Sequence, residues 1–198
     1  DFLEFQAGTW QRSLTRAMVF PPPTPDDVLF IQDSIGVDVI HYSTDGPIMI
    51  PIFINRYFGD PEERARQIET GGIPRTVRLI MPAFDVDYVT GRPYHPERDY
   101  VYFNDQFIGI LYGSNIVWKI NIFPIPIELV NFPDTMGGSA VNWVRIDVDV
   151  ENSRPIWMTS IDWAALAIPA PRPVMLVHGW MSDSSTWRRM QNSIRKNT

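Results

Sequence analysis

A chain of 198 residues with 44% hydrophobic and 13% aromatic residues can bury a full core, and it lacks the polar, charge-rich bias that keeps a chain disordered. A net charge of -6 offers no basic face to neutralise phosphates, which argues against nucleic acid or anionic lipid as a partner. Without cysteine there is neither a disulfide framework nor a Cys-ligated metal site, and no run of about 18 apolar residues is present to span a membrane.

Along the chain, Phe20-Pro21-Pro22-Pro23-Thr24-Pro25 suits neither a helix nor a sheet interior, and it predicts an extended strap that sets residues 1–19 apart. Short runs rich in β-branched and aromatic residues then predict strands near Val28–Gln32, Val37–Tyr42, Ile48–Ile54, Thr76–Met81, Arg98–Phe103, Phe107–Leu111, Val117–Phe123, Trp143–Val150 and Trp157–Ile161. A short helix is signalled by Asp60 as N-cap, Pro61 at the first helical position, Glu62 and Glu63 in the first turn, and Gly71-Gly72 as the stop. Asn104-Asp105 separates two of the strands and tolerates the positive φ of a tight hairpin turn. Gly137-Gly138-Ser139-Ala140 reads as a turn leading into a strand. In Val144–Val150 the aliphatic residues alternate with Arg145, Asp147 and Asp149, which predicts one wet face. Proline, 18 of 198 residues, is roughly twice its usual ~5% share and fits short strands and rigid turns. The fold class expected is mainly β, an antiparallel β-sandwich of jelly-roll or immunoglobulin-like type spanning residues 1–168. The three prolines in Pro169-Ala170-Pro171-Arg172-Pro173 then open a stiff connector, so that residues 169–198 form a linker and the start of a second unit.

Two features of the sandwich carry candidate chemistry. Asp85 and Asp87 share one side of an extended segment, with Glu97 and Asp99 following a loop and Asp162 at the last predicted strand. Hard oxygen ligands of this kind suit a structural calcium ion held by Asp85, Asp87, Asp99 and Asp162. The competing reading is solvent-facing carboxylates paired with Arg92 and Arg98. Asp147 and Asp149 are expected on a solvated face near Arg145, without chemistry. Tyr88, Tyr94, Tyr112 and Trp118 are candidates for a sugar-stacking surface, set against the alternative that the aromatics serve the core.

After the connector, Val174-Met175-Leu176-Val177 is apolar throughout, as a strand buried on both faces would be. It runs into His178-Gly179-Trp180, several N-cap candidates in Ser182-Asp183-Ser184-Ser185, and Trp187, Met190 and Ile194 at helical spacing. Residues 173–198 resemble the opening of the α/β-hydrolase family, in which an early strand ends in His-Gly before a capped helix. The resemblance implies that the backbone N–H of Trp180 contributes to an oxyanion hole, that Gly179 lets the backbone approach closely, and that His178 orients the loop without acting as base. The family's nucleophile elbow has no counterpart, since no Gly-x-Ser-x-Gly occurs in the chain, and no cofactor is implied for catalysis. The stretch Asp99–Gly109, with Phe123-Pro124-Ile125-Pro126 and Asn142-Trp143-Val144-Arg145-Ile146, resembles the galactose-binding-like jelly rolls, with Asp105 where glycine is common there. Together these features predict the N-terminal accessory sandwich of an extracellular or surface-attached serine hydrolase, esterase- or lipase-like and inactive as a fragment, whose partner is the remainder of the hydrolase domain. The alternatives are a calcium-stabilised module binding carbohydrate or a cell-surface polymer, and a structural spacer.

Overall fold

The computed structural model describes residues 27–32, 37, 39–87, 96–151 and 157–169, with 188 and 192 as isolated helical positions. Its strands are β1 (Asp27–Gln32), β2 (Ile40–Tyr42), β3 (Ile48–Ile54), β4 (Thr76–Phe84), β5 (Tyr100–Phe103), β6 (Gln106–Ile110), β7 (Trp118–Pro126), β8 (Ala140–Asp147), β9 (Met158–Ile161) and β10 (Ala164–Pro169). The first sheet is built on β4, which pairs with β7 along one side and with β10 and then β9 along the other. Beyond these, β1 pairs with β10 and β2 with β9. The second sheet has the order β3-β8-β5-β6, and all pairings are antiparallel.

Taking β1 with β2 and β9 with β10 as two broken strands leaves eight strands in two sheets, with the orders 1-8-3-6 and 2-7-4-5. That arrangement, with consecutive strands alternating between sheets except at the 4–5 hairpin, is a jelly roll. It decides the choice the sequence left open, against the immunoglobulin alternative. The break between β9 and β10 is a β-bulge. Ala83 lies opposite Ile161, but Ile80 lies opposite Ala165, so one extra residue enters at Asp162-Trp163.

The bulge explains a proline inside a central strand. Pro82 has no N–H to donate, and it sits where the ladder changes register, its carbonyl accepting from the Asp162 N–H at 3.1 Å. Pro51 in β3 and Pro124 and Pro126 in β7 occupy strands paired on one side only, and Pro169 is the last residue of β10. An edge strand tolerates the missing donor, and it becomes a poorer template for pairing with another chain.

The core lies between the sheets. Ile48, Ile50, Ile52 and Ile54 project inward from β3, Val144 and Ile146 from β8, and Val101 and Phe103 from β5. They meet Val77, Leu79, Met81, Ala83, Phe123, Ile125, Ile161, Leu166 and Ile168 of the first sheet. Burial of this apolar surface is the main stabilising term. Helix α1 (Pro61–Glu69) decorates the β3–β4 connection as predicted. The Asp60 carboxylate accepts from the Glu63 N–H at 2.8 Å, and Gly71 takes a left-handed conformation just past the end. Phe58 meets Phe132 edge to face at 5.2 Å, holding this connection against the β7–β8 loop.

The sequence predicts no strand at β10, because Ala164-Ala165-Leu166-Ala167 carries helix-favouring residues and Pro169 opens the proline-rich connector. Its residues are buried between β1 and β4, so packing overrides propensity. A second correction concerns Val148-Asp149-Val150, expected to continue a strand. These residues form a turn with Asp149 at φ +46°, and Asp149 is buried, not solvated. Asp147 does lie beside Arg145, at 3.2 Å.

Candidate functional site

The strongest concentration of chemistry among the described residues is a group of buried carboxyls at one end of the sandwich. The chain leaves β4 through Asp85, Val86 and Asp87, returns through Glu97, Arg98 and Asp99 into β5, and meets the turn at Asp149 that follows β8. Backbone hydrogen bonds lace these segments together. The Glu97 N–H donates to the Asp87 carbonyl at 2.9 Å, the Leu111 N–H to the Asp99 carbonyl at 2.9 Å, and the Val150 N–H to the Arg98 carbonyl at 3.0 Å. With the backbone so fixed, the side chains of Glu97 and Asp99 turn inward, 2% and 0% exposed.

Each carboxyl has one good donor. The Asp87 N–H donates to Glu97 Oε2 at 2.7 Å, and the Asp149 N–H donates to Asp99 Oδ1 at 2.9 Å. The second oxygens, Glu97 Oε1 and Asp99 Oδ2, are buried without a hydrogen-bond partner. Arg98 turns away to Glu151 at 3.4 Å. Burial therefore raises both groups above the usual carboxylate range. Glu97 is raised the more, pushed up to about 10 by its burial and then by the negative charge of Asp99. Asp85, also buried, accepts from the Ile116 N–H at 2.5 Å, and burial raises its carboxyl too. Ile116 is held at φ +55°, an unusual conformation for a β-branched residue.

Of the four aspartates proposed from sequence as calcium ligands, Asp85, Asp87 and Asp99 lie in this end of the sandwich, and Asp162 lies in the bulge beside Pro82. Glu97 and Asp149 join the group. The sequence offered no signal for Asp149, because its alternation with Val148 and Val150 imitates a strand. Among the described residues, no three histidine, aspartate or glutamate side chains are grouped so as to hold one ion. No family model matches this chain, and no curated protein matches it. His178, Gly179 and Trp180 lie outside the described residues, as do Arg92, Tyr88 and Tyr94.

A second surface is the outer face of the β3-β8-β5-β6 sheet, where Met49, Phe53, Phe107 and Trp143 are exposed. Arg145 lies over the Tyr102 ring at 4.1 Å, so that face of the tyrosine is already taken. Tyr100 and Tyr102 meet Phe107 at 55° and 68°, so these rings form a tilted cluster and not a coplanar platform. Of the aromatics proposed for sugar stacking, Tyr112 is exposed, and Trp118 packs on Phe84 at 5.3 Å.

Proposed function

We propose that residues 27–169 form an accessory jelly-roll module attached to a serine hydrolase of esterase or lipase type, whose catalytic domain opens at Pro173–Trp180. The observation that carries this reading is the pairing of Asp27 with Pro169. The chain enters the sandwich and leaves it side by side, which is how self-contained modules join their neighbours. The segment that follows changes pattern, from period-two strands to an apolar strand, a His-Gly turn and helical spacing. On this reading the Trp180 N–H would help bind a developing oxyanion, and the nucleophile, acid and base come from outside residues 1–198.

The test is activity-based labelling of the parent protein with a fluorophosphonate, beside residues 1–198 alone. Labelling of the parent at a serine outside residues 1–198, with none on the fragment, is expected. A parent that resists the probe and hydrolyses no short-chain ester would remove the hydrolase reading.

A further inference from the structure

The first sheet is apolar on its outer face as well as on its inner one. Across its four paired strands Ile31, Ala165, Ile80 and Ile122 stand level with one another, in a row turned away from the core. One step along, Leu29 and Ala167 repeat the pattern beside Arg78. Ile31 and Ile122, at the rims, are 52% and 55% exposed. Ala165 and Ala167 are 0% exposed and Ile80 4%, although none of the three belongs to the cluster between the sheets. Successive alanines on this face of β10 make a shallow groove walled by larger side chains. A bare groove would leave its floor wet; a dry floor between exposed rims fits one narrow segment lying along β10. A sheet with two apolar faces needs a layer on each.

We infer that this groove is the docking site of the chain's own residues 7–18, laid back over β10 by the proline strap that precedes β1. Residues 1–26 lie outside the described part of the chain and lead into β1, the edge strand next to β10, so this segment starts beside the groove. The six residues Phe20 to Pro25 extend about 19 Å in polyproline geometry, more than the roughly 10 Å between packed layers, so the strap can lift the chain onto the face and turn it back. Ala7, Trp10, Leu14 and Met18 recur at helical spacing, with Thr9, Arg12 and Arg16 on the opposite side. A segment apolar on one side only is what a groove on a sheet can cover. As a helix, residues 7–18 would rise about 18 Å, and the 6 residues of β10 span about 20 Å, so the lengths match. The later segment suits the groove less well, because Val174-Met175-Leu176-Val177 is apolar at every position and needs cover on both faces. The inference does not depend on the hydrolase reading.

The experiment uses residues 1–198 with a benzophenone-bearing residue in place of Leu14 and, in a second protein, in place of Met190. Each is irradiated and its cross-links are mapped by mass spectrometry. Cross-links within one chain from position 14 to β1, β10 or β4 near Ile31, Ala165 and Ile80 are expected. Ile31→Glu sets a charge at a half-exposed rim position that the sandwich itself tolerates, and it should cut the position-14 yield at least about threefold. Deleting residues 1–19 should lower the thermal midpoint by at least about 3 °C and raise the binding of an apolar fluorescent dye. Cross-links from position 14 only to the face carrying Met49, Phe53 and Trp143, only between chains, or to none of these strands overturn the inference. So does an unchanged yield in Ile31→Glu, or a deletion that moves neither midpoint nor dye binding. Capture of the groove from position 190 and not from position 14 also overturns it and makes the later segment the occupant. If the deletion does not fold, the cross-link maps decide alone.

Discussion

Replacing Asn142 with alanine should destabilise the sandwich far more than the loss of an exposed asparagine would. The side chain is fully buried on β8 and makes three hydrogen bonds, to Asn104 and Asn131. Its Oδ1 accepts from Asn104 Nδ2 at 2.9 Å and from the Asn131 N–H at 2.8 Å, and its Nδ2 donates to the Asn131 carbonyl at 3.0 Å. Asn104 in turn donates to the Leu129 carbonyl at 2.7 Å and accepts from the Trp143 N–H at 2.8 Å, so one amide pair ties the β5–β6 hairpin to the β7–β8 connection. A buried group left without its partner costs about 1–3 kcal/mol. Asn104 and Asn131 reach water and recover part of theirs, which leaves roughly 2–4 kcal/mol for the substitution. At about 2–4 °C per kcal/mol, the midpoint should fall by roughly 4–16 °C. Urea unfolding followed by tryptophan fluorescence measures the change, with an unaltered m-value as the sign that the folded state keeps its extent. A cycle with Asn104→Ala isolates the direct contact, and a coupling near 1 kcal/mol is expected. A loss below about 0.5 kcal/mol for Asn142→Ala would show that the network is dispensable and refute the reasoning.

Phe103→Ala empties the largest fully buried position of β5 and should lower stability by about 3–5 kcal/mol in the same urea assay. Gly113→Ala places a Cβ against Val86, 2.7 Å from its carbonyl oxygen; backbone cannot give way cheaply, so a loss of about 1–3 kcal/mol is expected, and a neutral result would contradict the close approach. Asp60→Ala removes the α1 cap and should lower stability by about 1 kcal/mol, with faster amide exchange confined to the first turn of the helix.

The nine predicted strands are all present, because a half-buried strand writes its period into the sequence. Both turn signals with a mechanism also hold: Asn104 and Asp105 have φ of +45° and +65°, and the N-cap, Pro61 and Gly71 frame α1. Legibility ends where long-range packing decides. Pro82 within a central strand reads as a stop until the bulge opposite it is known, and Ala164–Ala167 becomes a strand only because β1 and β4 flank it. The acidic end is half legible. Asp85, Asp87, Glu97 and Asp99 stand out as carboxylates near one loop. That Glu97 and Asp99 face inward, and that Asp149 closes on them across 50 positions of sequence, depends on how β4, β5 and β8 end together.

The two ends of the jelly roll are set apart by the length of β4. Thr76 lies level with Pro169 and Asp27, while Phe84 leads directly into the buried carboxyls; nine residues at about 3.3 Å each put roughly 27–30 Å between these ends. Residues 170–173 extend at most about 14 Å even when fully stretched. On the proposed reading, a domain that follows Pro169 is joined at the end marked by Asp27, Thr76 and Pro126, away from Glu97 and Asp99. Glu97 and Asp99 thus lie at the end of the sandwich opposite the one where the described chain enters β1 and leaves β10. Substitutions at the two ends should consequently be independent. The raised Glu97 carboxyl contributes fully below the ordinary glutamate range and loses that contribution as the pH rises through its folded value. Glu97→Gln should therefore lessen the alkaline loss of stability while leaving ester turnover by the parent at neutral pH unchanged. A parallel loss of both would place the two sites in one cooperative unit and overturn the modular reading.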